Sequence, residues 1–300
     1  MTVIYETGSA SSPANLVAKL ETFAAANGWT VSTVSGGLVF RKATVVVGVF
    51  SNATSIFLRG AITYNAAAAW NAQTNPASVS AEINCGAGGF SAYHFYIGDE
   101  SGFDYLHATI EISSGVFRHI ALGEMVKAGS FTGGVYVEGT YWQPGTNYQN
   151  FPESSLHTVI CDSSGGTVRN NIWVDYDSKS NNWQRIGSAS NTSDPNQCTG
   201  ACRNQGILYA PLTIGAQKFN LITPMYPLTY FASRGSGLRS IIGRIPNMRL
   251  LSLRNLNTPG QIVSIGSEDW QVFPMCARSD TWNLNIDVPS SGYYGYAHLR

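Results

Sequence analysis

His94, His107 and His119 fall on segments that read as neighbouring strands. Imidazoles converging on one sheet face could coordinate a metal. Their spacing follows no metal-ligand motif, so packed or hydrogen-bonded sheet histidines are the expectation, with no metal. Two adjacent carboxylate pairs come next, Asp99-Glu100 and Glu268-Asp269. A glycosidase sets two carboxylates about 5–10 Å apart across a cleft. Neighbours in a strand point to opposite faces, so neither pair alone builds that arrangement, and both suit turns. Arg234-Gly235-Ser236-Gly237-Leu238-Arg239 is basic and glycine-rich. A phosphate loop requires a strand before it and a helix after it, and a flexible turn fits this stretch better. The chain has no Gly-x-Ser-x-Gly elbow, Walker loop, Gly-x-Gly-x-x-Gly or His-Glu-x-x-His. The expectation is a protein without enzymatic activity and without a cofactor.

Cysteine and the aromatics offer two further candidates. The five cysteines are Cys85, Cys161, Cys198, Cys202 and Cys276, an odd number. Synthesis in the cytoplasm favours reduced thiols. The polar loop Cys198-Thr199-Gly200-Ala201-Cys202 leaves closure by a disulfide or metal as the alternative, although no second Cys or His pair lies nearby to complete a zinc site. Trp142, Trp173, Trp183, Tyr141, Tyr148 and Tyr176 gather in or beside a stretch rich in Asn and Ser. Aromatics in such a setting serve as anchors of protein interfaces, as ordinary packing, or as stacking platforms for sugars. Interface use is the reading carried forward.

These residues need elements to hold them. One segment, Ser12 to Gly28, reads as helix: Ser12 can cap, Pro13 suits the first turn and Gly28 the exit. Leu16, Leu20, Phe23 and Ala24 line one face. After Trp29 the period changes to two. Trp29–Val34, Gly36-Gly37 and Leu38–Arg41 make a hairpin pattern, continued by Thr44–Phe50 and Ser55–Ile62. Ala66–Trp70 fits a short helix. Tyr93–Ile97, Phe103–Ile112 and Val116–Gly123 carry the strongest strand signal, with Ser113-Ser114-Gly115 as a tight loop. Tyr105, His107, Thr109 and Glu111 alternate with Leu106, Ala108, Ile110 and Ile112, which predicts a half-buried sheet. Residues 143–205 read as a loop-rich insertion, with Ile172–Val174 and Trp183–Ile186 as possible hairpin strands. Residues 206–300 return to β character and are expected to pack on the core built by 1–142. The fold class is mainly β: an antiparallel sheet or sandwich with one N-terminal amphipathic helix and long loops.

Composition narrows the function. The chain has 300 residues, 12% charged, 44% hydrophobic and 12% aromatic. The charged fraction is about half the ~25% usual in soluble domains. Interface cores are likewise poor in charge and rich in aromatics. The 18 basic and 18 acidic residues balance, and no basic run exists, so nucleic-acid binding has no electrostatic support. No apolar run reaches membrane-spanning length and Met1–Glu6 does not open like a signal peptide.

Three blocks are similar to a family of tailed-bacteriophage virion proteins. The first is the Ser/Ala-rich start, the helix and Asn27-Gly28-Trp29-Thr30-Val31. The second is Gly115-Val116-Phe117-Arg118-His119-Ile120-Ala121-Leu122-Gly123-Glu124-Met125-Val126-Lys127 with Gly129-Ser130-Phe131-Thr132-Gly133-Gly134. The third is Gly266, Trp270-Gln271-Val272-Phe273-Pro274, Ser290-Ser291-Gly292 and Gly295-Tyr296-Ala297. The resemblance implies a structural component of the virion, in the tail or baseplate, with a capsid or neck position or a receptor- or glycan-binding tail module as alternatives. It implies assembly in the host cytoplasm and contacts with other virion proteins and with further copies of the chain. It brings no catalytic or binding residues.

Overall fold

The computed structural model describes residues 3–77, 80–139, 172–176, 183–185, 198–200, 225–233, 239–252, 258–274 and 294–300. Among the described residues there are one helix and nineteen strands in three antiparallel sheets, the mainly β class that the alternating patterns predict.

Strand β1 (Ile4–Ala10) and helix α1 (Pro13–Ala26) open the chain. Ser12 has extended backbone and its hydroxyl accepts the Asn15 N–H at 3.1 Å, while Pro13 occupies the first turn, where no N–H is needed. Leu16, Val17, Leu20, Phe23 and Ala24 form the buried stripe. The helix stops where the Asn27 side chain donates to the Phe23 carbonyl at 2.7 Å and Gly28 turns the chain at φ +81°.

The period-two stretch after Trp29 becomes a meander of β2 (Thr30–Val34), β3 (Gly37–Lys42), β4 (Val45–Ser51), β5 (Ser55–Ala61) and β6 (Ala81–Asn84), paired in that order. Phe40, Val45, Val47, Val49, Ile56 and Leu58 point inward to a core shared with α1. Residues 62–77 fold back over the outer face, where Trp70 packs on Gly37 and Gly48. A Cβ on Gly48 would come within 1.9 Å of the Trp70 carbonyl oxygen, so only glycine admits this crossing. The short helix predicted for Ala66–Trp70 is instead a series of turns. The Gln73 amide donates to the carbonyls of Asn65, Ala68 and Ala69 at 3.0–3.1 Å, and such side-chain bonds compete with a helical ladder.

The central sheet contains β7 (Phe90–Glu100), β8 (Phe103–Ser113), β9 (Val116–Glu124), β11 (Gly133–Gly139), β12 (Ile172–Tyr176) and β13 (Trp183–Arg185), with the two-residue β10 (Val126–Lys127) leaving it between β9 and β11. Its first edge is β1, aligned with Ile4 opposite Ile97 and Tyr5 opposite Tyr96. The sequence pattern assigned no strand ahead of the helix, because the partner that makes Ile4–Ala10 a strand lies far along the chain. The hairpin β12–β13 falls inside the stretch read as a loop-rich insertion, yet Val174 and Trp183 are buried core residues.

The third sheet is built from β14 (Cys198–Gly200), β15 (Met225–Ser233), β16 (Arg239–Ser252), β17 (Gln261–Ile265), β18 (Glu268–Pro274) and β19 (Tyr294–Leu299), in the order β14-β15-β16-β19-β18-β17, and β10 pairs with β16. It covers the second face of the central sheet. The alternation in β8 predicted a half-buried sheet with one mixed face toward water. Both faces are in fact buried: His107 and Thr109 are 0% exposed. No helix among the described residues is long and apolar enough to cross a membrane.

Candidate functional site: a histidine–tyrosine layer between two sheets

Strand alternation separates the central sheet into two faces. Tyr93, Phe95, Ile97, Leu106, Ile110 and Leu122 turn toward α1 and the meander. The residues between them turn the other way, and the pairing register lines them up in rows. One row runs Tyr5, Tyr96, His107, Ala121, Glu138. On one side of it the row is Thr7, His94, Thr109, His119, and on the other side Gly98, Tyr105, Gly123, Tyr136. From the third sheet Gln271, Phe273, Tyr296 and His298 meet them. Four of the chain's five histidines thus share one layer.

The hydrogen bonds set the protonation of this layer. His119 Nε2 lies 2.9 Å from the Pro274 carbonyl oxygen, which can only accept, so that nitrogen carries the proton. His119 Nδ1 is then an acceptor, and the Thr109 hydroxyl 3.0 Å away donates to it. The Thr109 oxygen in turn accepts from His298 Nε2 at 3.2 Å. His107 Nε2 pairs with the Tyr136 hydroxyl at 2.8 Å, His94 Nδ1 with the Tyr5 hydroxyl at 2.7 Å, and Tyr96 donates to the Gln271 side chain at 2.7 Å. The Tyr96 and His298 rings stack with centroids 4.7 Å apart. A chain of bonds therefore leaves the third sheet at Pro274, passes through His119 and Thr109 of the central sheet, and returns to the third sheet at His298.

Burial keeps these imidazoles neutral. It pushes His107 down to about 3, and His94 and His119 down to about 4, with Glu111 beside His94 and the Pro274 carbonyl on His119 opposing only in part. His298 is held well below the ordinary value by burial and then by the other three histidines. Burial also drives the Glu138 carboxyl well above its usual range, which favours its neutral form. A second polar cluster ties the same two sheets. Glu100 pairs with Arg244 and accepts the Asn247 N–H at 2.8 Å, and the Asn247 side chain donates to the Tyr105 hydroxyl at 3.2 Å. Burial alone would raise Glu100, but Arg244, the Asn247 amide and Arg249 hold it below the usual carboxylate range.

The candidate residues fare differently. His94, His107 and His119 come together as neighbours on one face, and no group of three His, Cys, Asp or Glu among the described residues is placed to hold a metal. His298 belongs with them and was missed. Its signal was the alternation Tyr294, Tyr296, His298 at the end of the chain. The two carboxylate pairs do not converge. Asp99 accepts the Gly102 N–H in a turn while Glu100 is the buried partner of Arg244; Glu268 accepts from the Trp270 indole and Asp269 from the Ser264 hydroxyl. Of the glycine-rich run only Arg239 lies among the described residues, at the start of β16. Trp183 is not on a surface: its ring sits where a Cβ on Gly60 would be, 2.1 Å away, and the absent side chain there is what admits the indole to the core. Trp173 and Tyr176 stand on β12, opposite Val137 and Gly133. Trp142, Tyr141, Tyr148 and Cys202 lie outside the described residues, and Cys198 starts β14. Cys85 is a free, buried thiol pushed up to about 12 by burial, with Arg118 opposing, which makes it unreactive.

No protein-family model matches the chain, and no curated protein matches it. What the layer can do follows from its geometry. The His119 and His298 nitrogens and the Tyr96 hydroxyl that bond one sheet to the other are buried and already engaged. The residues richest in chemistry act here as a directional adhesive. On the outside, Ile4 stands exposed on edge strand β1, Ile262 and Ile265 on edge strand β17, and Ile241 on β16.

Proposed function

We propose that this chain is a non-enzymatic structural component of a tailed-phage virion, in the tail or baseplate, acting through contacts with itself and with other virion proteins. The observation that carries the reading is the division of labour between interior and surface. The histidines, tyrosines and carboxylates that could do chemistry hold two sheets together. The edge strand β17 meanwhile presents Ile262 and Ile265 at 37% and 44% exposure. An edge strand offers unpaired backbone donors and acceptors, and apolar side chains on it favour a second chain over water. The low charge of the sequence and its resemblance to virion proteins point the same way.

The test is the mass of the purified protein by light scattering, beside an Ile262→Lys/Ile265→Lys variant. A discrete oligomer that the variant reduces to monomer is the expected result. A wild-type chain that stays monomeric over the whole concentration range, or an oligomer indifferent to the variant, contradicts self-assembly through this edge. Immunogold labelling of particles, expected at the tail, tests the placement.

A further inference from the structure

The outer face of the meander holds a groove of about 480 Å³, within the range of small-ligand sites. Its formation follows from register. On that face Thr30, Arg41, Val46 and Ala61 lie in one row across β2 to β5. Residues 62–64 leave β5 and rise over the row, and Tyr64 packs on Val39, Val46 and Ala61. Arg41 then lies flat on the Tyr64 ring, its guanidinium carbon 3.8 Å from the ring centroid. The hydroxyls of Thr30, Thr44 and Thr63 and the Lys42 ammonium complete the walls.

The charges in this groove are unequally compensated. Lys42 is paired with Asp104 at 3.1 Å. Arg41 donates one bond, from Nη2 to the Ser32 hydroxyl at 2.9 Å. Among the described residues its buried Nε has no hydrogen-bond partner, and the two carboxylates bonded to groove residues, Asp104 on Lys42 and Glu124 on the Thr44 hydroxyl, are not part of the lining. A guanidinium has five donors, and an unmet buried one costs about 1–3 kcal/mol until something accepts from it. A fixed, stacked, under-used arginine beside the Thr30 and Thr63 hydroxyls matches a ligand with an anionic group at one end and hydroxyls along its length.

We propose that the groove between Arg41, Tyr64, Thr30 and Thr63 binds a small hydroxylated anion, a sugar acid or sugar phosphate. The anionic group meets the Arg41 guanidinium, and the threonine hydroxyls exchange hydrogen bonds with the sugar. The site is independent of the assembly reading and stands whether or not the chain self-associates.

Titration calorimetry of the full chain against glucuronate, glucose 6-phosphate, glucose and inorganic phosphate tests it. Binding of at least one sugar anion is expected, with glucose and inorganic phosphate each at least roughly tenfold weaker. Arg41→Gln should weaken the sugar anion roughly tenfold or more, as for one hydrogen bond to a charged group, and Arg41→Lys should recover part of that loss. Should Arg41→Gln fail to fold by circular dichroism, Thr30→Ala on the exposed edge strand carries the test, with weaker sugar-anion binding expected. Absence of binding by both sugar anions, equal binding of glucose, equal binding of inorganic phosphate, or sugar-anion binding unchanged in the folded variant overturns the proposal.

Discussion

The two faces of the central sheet are covered equally well and by opposite means. Toward α1 and the meander the contact is made by Phe95, Ile97, Leu106, Ile110 and Leu122, packed on Phe23, Val47 and Leu58. Toward the third sheet it is made by Tyr96, Thr109 and His119, joined to Gln271, His298 and Pro274 by named hydrogen bonds, with His107 and Tyr136 bonded to each other beside them within the central sheet. Apolar burial is non-directional and tolerates small shifts. A buried polar layer holds one register and is costly whenever a partner is missing. The first contact therefore supplies adhesion and the second supplies alignment, and they should fail under different conditions.

Acid should separate them most. Each of the four imidazoles has a folded value below the ordinary value near 6.5, so the unfolded chain binds the extra protons. Stability is full above about pH 6.5 and falls as pH drops toward about 4, by about 1.4 kcal/mol per pH unit per histidine. With four histidines the slope reaches up to about 5–6 kcal/mol per pH unit, comparable with the whole stability of a domain. Glu138 opposes this, since its raised value makes it less costly as pH falls, but it is one group against four. Glu100, with a lowered value, adds a loss below its ordinary range. Urea midpoints measured from neutral pH downward should show a steep decline. Hydrogen exchange should show amides of β16, β18 and β19 losing protection before those of α1, β4 and β5.

Leu106→Ala sharpens the contrast from the other side. A buried leucine replaced by alanine costs about 2–5 kcal/mol, and the loss in urea midpoint should be the same at both ends of the pH range. Tyr136→Phe is smaller. It removes only a hydroxyl, but it leaves His107 Nε2 unpaired, at about 1–3 kcal/mol. Because this bond joins β8 to β11 within the central sheet, equal tolerance of this change and of a surface substitution would break the claim that the polar layer holds its strands in register.

Local pattern made the helix and the meander legible, because Ser12, Pro13 and Gly28 mark the helix and the valines of β4 form a short apolar run bounded by turn residues. The same alternation in Tyr105, His107 and Thr109 revealed a mixed face on β8. It carried no information on what covers that face, because the cover comes from Gln271, Phe273 and His298, which are remote in the chain. Strand β1 was hidden for the same reason. Its pattern, Ile4-Tyr5-Glu6-Thr7-Gly8, is weak alone and is completed only by β7. Trp183 illustrates the limit from the other direction: an aromatic in a polar stretch suggested a contact surface, whereas a glycine on β5 made room for it inside.

The central claim is that the histidines serve packing and not chemistry. Proton NMR of the imidazole signals against pH tests it directly. The expected result is that four of the five signals show no midpoint above about pH 5 while the chain remains folded, their titration appearing only with unfolding. A midpoint near 6.5 for His107, His119 or His298 in the folded chain would mean an imidazole open to solvent and free to react, and would contradict the account.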